Sequence, residues 1–311
     1  MISCRSKTST RHRSSAGISP RCGRGAPSIG PPGWLVHDRK HPLIPSFSHL
    51  DRHNELLIST LKEFGDDDWR KPSYCPGWTA AHVIGHMTLG AHFYAHTVRN
   101  GQEGVQSIPF GAKDIPEFRQ IRAARMEELT ALSGEERIGR FQESVDGLQE
   151  AFASILPDNL DKPAWHPRCP TPIRLFPTQR FYELILHGWD IRNEPETSII
   201  PEGLDHGAEI LKERLPFFYN QAPDPDLEGF FRLETTDPAH AWGLEIRNRS
   251  AALRPPDGTG ADVRLTASAS DMILLACGRA DIQARRASGA LRIEGSEEKA
   301  EAFLKIFFSS F

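Results

Sequence analysis

The chain has 311 residues, of which 39% are hydrophobic and 25% are charged, and its formal net charge is −4 at pH 7. This composition is typical of a globular protein, and the length suggests two domains. No run of 18 apolar residues occurs, which argues against a membrane protein, and the acidic charge argues against nucleic-acid binding, because that function depends on neutralising phosphates.

The first segment, residues 1–42, is predicted to be a disordered basic leader. Residues 1–37 contain six basic residues and no acidic residue, and they are rich in Ser, Gly and Pro. Such a segment has too few large apolar side chains to bury a core. Its composition loosely resembles an organellar transit peptide, but "GAPSIGPPG" would break an amphipathic helix, so a leader without function or a mis-assigned start is the favoured interpretation.

Helical periodicity predicts four long helices and a shorter segment before residue 196. The first is "PSFSHLDRHNELLISTLKEFG", and the second begins after the N-cap Thr79 and ends at Asn100. A segment around 115–131 is also helical, and a third long helix carries Phe141, Val145, Leu148, Phe152 and Ile155. The fourth, "RFYELILHGWDIR" at residues 180–192, follows a Pro-rich loop. Long amphipathic helices with few strands between them indicate a four-helix bundle, assigned to residues 43–195.

The pattern changes after residue 196 and predicts a smaller α+β domain over residues 196–311. "GLDHGAEILKERLPFFY" is helical, whereas "GFFRLETT", "AWGLEIRN" and "ADVRLTAS" alternate as strands do. "SDMILLACG" is predicted to be an apolar helix that is capped by Ser270 and ends at Gly278. "GALRIEG" is a short strand, and "SEEKAEAFLKIF" is a final amphipathic helix.

The fourth long helix places Glu183, His187 and Asp190 on one face, because residues three and four apart are neighbours on a helix. The second long helix carries four histidines, of which His82, His86 and His96 fall within about 80° of one another around the axis. Two imidazoles and one carboxylate from facing helices could hold a catalytic zinc with an open position. Spacing alone does not select the histidine of the second helix, and hydrogen-bonded core histidines are the alternative interpretation.

Two motifs, "CPGWTAAHVIGH" and "YELILHGWDIR", resemble those of the mycothiol-dependent maleylpyruvate isomerase family. That family belongs to the DinB-like metal-binding four-helix bundles. The resemblance implies that His86, Glu183 and His187 bind a divalent metal, usually zinc. "DVRLTASASDMILLACGRADI" and "GALRIEGSEEKAEAFLKIF" resemble the sterol-carrier-protein-like domain that is often fused to such bundles.

The same resemblance implies a low-molecular-weight thiol cofactor such as mycothiol, which adds to an electrophilic small-molecule substrate. The outcome could be isomerase or S-transferase chemistry. Asp190 is a candidate to support a metal ligand, although a helix-end ion pair with Arg192 or another base is an equal alternative. His82 could play the same part, although a partly buried core position is favoured for it. Arg279 and Arg285 are candidates to bind an anionic group.

Two other classes of function compete with this hypothesis. The apolar "MILLA" segment could line a pocket for a lipid-like ligand in a non-catalytic binding module, or the metal could activate water in a hydrolase. The five scattered cysteines show no CxxC spacing, which favours free thiols and a cytoplasmic location. Cys75, in "CPGW", is interpreted as a turn residue packed beside Trp78. No membrane or nucleic-acid partner is expected, and the sequence does not indicate an oligomeric state.

Overall fold

The computed structural model describes residues 47–256 and 260–308, so the predicted leader, Cys4 and Cys22 lie outside the described residues. The first part of the chain is almost entirely helical. Its helices are α1 (Phe47–Lys62), α2 (Asp66–Arg70), α3 (Ala80–Gln102), α4 (Ile115–Ala131), α5 (Gly134–Ala153) and α6 (Leu175–Arg192). The Pro-rich connection between α5 and α6 contains two short antiparallel strands, β1 (Pro163–Ala164) and β2 (Thr171–Pro172), which were not predicted.

Four of these helices form the bundle. Helix α3 packs on α5 and α6, α1 packs on the same two helices, and α4 lies against the outer side of α3. Their shared core includes Val83, Ile84, Met87, Phe141 and Phe181, each with no exposed side chain. The predicted helical bundle is therefore confirmed, with α4 as an additional helix.

The ends of α6 show why this helix can be long and buried. It begins five residues before the predicted start, and Pro177 is accommodated because it lies in the first turn, where a backbone N–H has no partner within the helix. It ends at Arg192, and the following residue, Asn193, caps it in a left-handed conformation (φ 52°). Almost every side chain between these ends is buried.

The second part of the chain combines helices with a sheet, as predicted. Its elements are α7 (Leu204–Gln221), β3 (Gly229–Thr236), β4 (Ala239–Arg247), β5 (Ser250–Arg254), β6 (Val263–Ala267), α8 (Ala269–Ala276), α9 (Ile282–Ala287), β7 (Arg292–Gly295) and α10 (Glu297–Phe307). The strand order is β5-β4-β3-β6-β7, in which β3 and β6 are parallel and the other pairs are antiparallel. Strand β5 and helix α9 were missed. Ser268, and not Ser270, caps α8, and its hydroxyl accepts a hydrogen bond from the Asp271 backbone N–H.

One face of the sheet forms the second core. Phe231 and Leu233 point into it from β3, and the Phe303 ring lies 4.7 Å from the Phe231 ring and 4.4 Å from that of Phe307. The "MILLA" segment of α8 is packed into the same core, with its side chains at most 1% exposed. That this segment lines a ligand pocket stays a prediction. No helix among the described residues has both the length and the apolar character needed to cross a membrane.

Replacing Phe303 by Ala should lower the free energy of unfolding by about 3–5 kcal/mol, because it removes a fully buried ring and leaves a cavity. Chemical denaturation monitored by circular dichroism measures the change. Val105→Ala is the control, since that side chain is 44% exposed and should change stability by less than about 0.5 kcal/mol. Equal effects of the two substitutions would contradict this description of the core.

Candidate metal centre

Three side chains from α3 and α6 converge on one point in the bundle. The Nε2 atoms of His86 and His187 lie 3.0 Å and 3.1 Å from the same carboxylate oxygen, Oε2 of Glu183. The three residues are only 7–8% exposed, and their ligand atoms all lie within 4.8 Å of one another. The arrangement predicted from the two motifs is thus present as a compact, buried group of two imidazoles and a carboxylate.

The helices themselves create this convergence. Glu183 and His187 are one turn apart on α6, so their side chains point the same way. His86 projects from the facing helix α3, where its ring also lies 5.4 Å from the ring of Trp78. At the neighbouring Gly85, α4 comes so close that a Cβ atom would lie 2.9 Å from Sδ of Met126, and this close approach brings α4 to the same site.

Burial and hydrogen bonds give the three groups distinct charges. Burial lowers the pKa of His86 to about 4, although its contact with Glu183 opposes this, so His86 is neutral. Burial disfavours the charged form of His187, but hydrogen bonds to Asp190 and Glu183 outweigh it and raise the pKa to about 9. Burial would also raise the pKa of Glu183, yet the two imidazoles hold it well below its ordinary value. A neutral imidazole, a carboxylate and an imidazolium therefore share this volume.

Asp190 lies directly behind His187. Its Oδ2 accepts a hydrogen bond from Nδ1 of His187 at 2.8 Å, and the carboxylate is completely buried. Another partner is Arg279, whose Nε and Nη2 donate to the two carboxylate oxygens at 3.1 Å and 3.0 Å. Asp190 thus fixes the His187 ring so that Nε2 faces Glu183. Its ion-pair partner is Arg279 and not Arg192. The guanidinium of Arg192 instead donates to the carbonyl of Ser198.

The donor set fits a divalent metal such as zinc. Two donors of a tetrahedral zinc, with bonds of about 2.0–2.1 Å, are separated by about 3.3–3.4 Å. The separations of 3.0 Å and 3.1 Å found here would need to grow by only a few tenths of an ångström to admit the ion. A carboxylate behind one imidazole is also the usual support of a histidine ligand.

A second group of possible metal ligands consists of Cys75, His187 and Asp190. Their polar atoms already form hydrogen bonds with one another. Cys75 Sγ donates to Oδ2 of Asp190 at 3.3 Å, and Arg279 supplies a positive charge to the same carboxylate. Cys75 is buried in the turn before α3, where its carbonyl accepts a hydrogen bond from the backbone N–H of Trp78. This placement agrees with its interpretation as a turn residue.

The remaining candidate residues have other contacts. Nδ1 of His82 accepts a hydrogen bond from the backbone N–H of Thr79 at 3.3 Å, so His82 helps to cap α3 and does not contact the three converging groups through that atom. Arg285 forms ion pairs with Asp271 and Glu196 on the C-terminal side of the molecule. Neither contact was evident from residue spacing.

Sequence reasoning missed Arg122, which lies on α4 with its Nη2 3.4 Å from Nδ1 of His86. Since a guanidinium only donates hydrogen bonds, this contact favours the His86 tautomer whose proton is on Nε2. A metal at Nε2 would require that proton to move to Nδ1, and Arg122 would then have to turn away. Residues 115–131 were predicted to be helical, but no motif marked Arg122 as part of a site.

Comparison with known families agrees with the two-part organisation. Residues 51–192 match the family described as the mycothiol maleylpyruvate isomerase N-terminal domain. The helical part of the chain is therefore similar to this family. Residues 225–308 match the SCP-2 sterol transfer family, which accounts for the sheet-containing part.

Two similar proteins match across both parts of the chain. An uncharacterized protein of Mycobacterium tuberculosis is 26% identical over 267 residues, which cover 84% of this chain and 93% of that protein. The crystal structure of a mycothiol-dependent maleylpyruvate isomerase has a TM-score of 0.54 at 14% identity and matches 79% of this chain and 90% of its own. At this identity the likeness establishes the fold.

Replacing Arg279 by Met should lower the free energy of unfolding by about 3–5 kcal/mol, because the completely buried Asp190 would lose its bidentate partner. The double variant Asp190→Asn/Arg279→Met should be destabilised by less than the sum of the two single substitutions. A urea-denaturation double-mutant cycle measures this coupling. Strictly additive losses would show that the pair contributes nothing to the junction between α6 and the segment after α8.

Proposed function

We propose that the chain is a metal-dependent enzyme in which a low-molecular-weight thiol adds to an electrophilic small molecule. The observation that carries this proposal is the convergence of His86, Glu183 and His187 in a buried site. The match of the helical part to the mycothiol maleylpyruvate isomerase N-terminal domain family supports a thiol such as mycothiol as the cofactor.

His86, Glu183 and His187 would hold the metal, for which we propose zinc. When bound, the metal would supply positive charge that favours a thiolate over a thiol, whose ordinary pKa near 8.5 leaves only a few per cent ionised at pH 7. Asp190 holds the Nδ1 proton of His187 and thereby keeps Nε2 directed at the site. Burial of the three ligands limits access of water, which would otherwise compete with the thiol.

The reaction would form one bond between the thiolate sulphur and an electrophilic carbon. In an isomerisation, addition converts a cis double bond into a single bond, rotation follows, and expulsion of the same thiolate restores the double bond in the trans form. In an S-transferase reaction, the carbon next to the new S–C bond takes a proton and the adduct is released. Both outcomes require the same three ligands, and the proposal includes both.

Two further functions retain specific support. The match of residues 225–308 to the SCP-2 sterol transfer family favours binding of a lipid-like small molecule, which could replace or accompany catalysis. A hydrolase would use the same ligands with water in place of the thiol. We place the protein in the cytoplasm, where a thiol cofactor and the thiols of Cys75, Cys169 and Cys277 would remain reduced.

The first test concerns metal content. Protein purified without added metal should contain about one divalent ion per chain by elemental analysis, and His187→Ala should abolish binding because it removes one of three ligands. His92→Ala is the matched control, since that histidine is exposed on α3. Metal content near zero that added zinc, nickel or manganese does not restore would refute the site.

The second test concerns the thiol. Metal-loaded protein should consume maleylpyruvate or a related electrophile only when mycothiol, bacillithiol or glutathione is present, and Glu183→Ala should remove the activity. Substrate loss and product formation can be followed by absorbance and mass spectrometry. Equal turnover without any thiol would favour the hydrolase. Ligand uptake without turnover of any substrate would favour the binding module.

A further inference from the structure

A cavity lies at the junction between the bundle and the C-terminal part of the chain, and none of the three converging ligands lines it. Its volume is about 600 Å³, within the range of small-molecule sites. The N-terminal end of α6, one face of α7 and the edge strand β5 form its walls. Both parts of the chain therefore contribute to it.

The walls are apolar over much of their area. The apolar side chains that line the cavity include those of Leu175, Ile210, Pro216, Phe217, Phe218 and Leu253. By contrast, the core beneath the sheet is filled by aromatic rings such as Phe303 and Phe307, which stack at 4.4 Å. The junction cavity therefore offers space for an apolar ligand.

The charged groups of the cavity are mainly arginines. Arg174, Arg214 and Arg254 line it together with a single acidic residue, Glu213. Arg254 is paired with Glu245, and Arg174 contacts Asp161, whose side chain is 74% exposed, so screening by water weakens that contact. Arg214 is 6% exposed, and its guanidinium lies 4.8 Å from the Tyr182 ring and 4.7 Å from the Phe218 ring.

We propose that this cavity binds a monocarboxylate with an apolar body, whose carboxylate lies at Arg174 and Arg214 and whose body lies along Phe217 and Leu253. Guanidinium groups bind carboxylates with two parallel hydrogen bonds, and the stacking of Arg214 between two rings restricts its movement. None of the three proposed metal ligands lines this cavity.

Glu213 should make this binding sensitive to pH. Burial raises its pKa to about 7, against the opposing influence of Arg174 and Lys212, whereas Glu209 on the same helix adds to the increase. Arg214 and Arg254 line the same cavity, and Asp161 pairs with Arg174. As pH rises through about 7, Glu213 gains a negative charge that repels the ligand carboxylate, so affinity should fall.

The test is a titration of the full-length protein with cis-parinaric acid, followed by its fluorescence, and with its methyl ester as the uncharged control. The acid should bind at least about tenfold more tightly than the ester. Ala252→Trp should weaken binding of the acid at least about tenfold, because this exposed side chain lines the cavity and a large ring would fill it. Ala241→Trp, at an exposed position of the neighbouring strand β4 that does not line the cavity, should change nothing.

Two further measurements separate this site from the alternatives. Affinity for the acid should be the same with and without EDTA, and Glu213→Gln should abolish the loss of affinity between about pH 6 and pH 8. Equal binding of acid and ester would overturn the carboxylate assignment. Unchanged binding in Ala252→Trp, or loss of binding with EDTA, would overturn the location.

Discussion

The burial of two carboxylates on one helix is the constraint on which the rest of the structure depends. Glu183 and Asp190 lie on α6 inside the protein, where an uncompensated charge would be very costly. Neighbouring groups compensate both carboxylates: the imidazoles of His86 and His187 flank Glu183, and His187 and Arg279 flank Asp190. The network therefore fixes α3, α6 and the turn after α8 relative to one another.

The turn after α8 shows how a local backbone feature supports this network. Gly278 adopts a left-handed conformation (φ 65°), and the backbone N–H of Arg279 then bonds to the carbonyl of Leu274 at 2.7 Å. The chain leaves the helix in a direction that carries the Arg279 guanidinium to Asp190. Arg279 had been expected to bind an anionic group, and in the structure that group is a carboxylate of the protein itself.

The sequence predicted the helices best where their apolar residues repeat over several turns, as in α1, α3, α5 and α6. It failed where an element is short and owes its form to its neighbours. Helix α9 has no buried residue and hence no apolar periodicity, and β5 is an edge strand of five residues. The "MILLA" segment shows a related limit, since an apolar run can fill a core as readily as it can line a cavity.

The candidate site, like the fold, was only partly predictable from the sequence. Glu183, His187 and Asp190 share a face because of their spacing alone, but the choice of His86 among four histidines depended on the resemblance to a known family. The contact of Arg122 with His86 joins residues 36 positions apart, and that of Arg279 with Asp190 joins residues 89 apart. Such contacts arise from tertiary packing, which no local pattern encodes.

A line of polar residues on α6 also connects the two parts of the chain. Gln179, Glu183, His187 and Asp190 follow one another at spacings of four, four and three, so they form a line about 16 Å long on one side of the helix. Gln179 borders the junction cavity at one end, and Asp190 meets Arg279 at the other. The C-terminal part contacts both ends of this line, and without it Asp190 would lose its cationic partner and the cavity would lose two of its three walls. The sheet-containing part therefore completes the bundle's site and is more than a separate module attached to it.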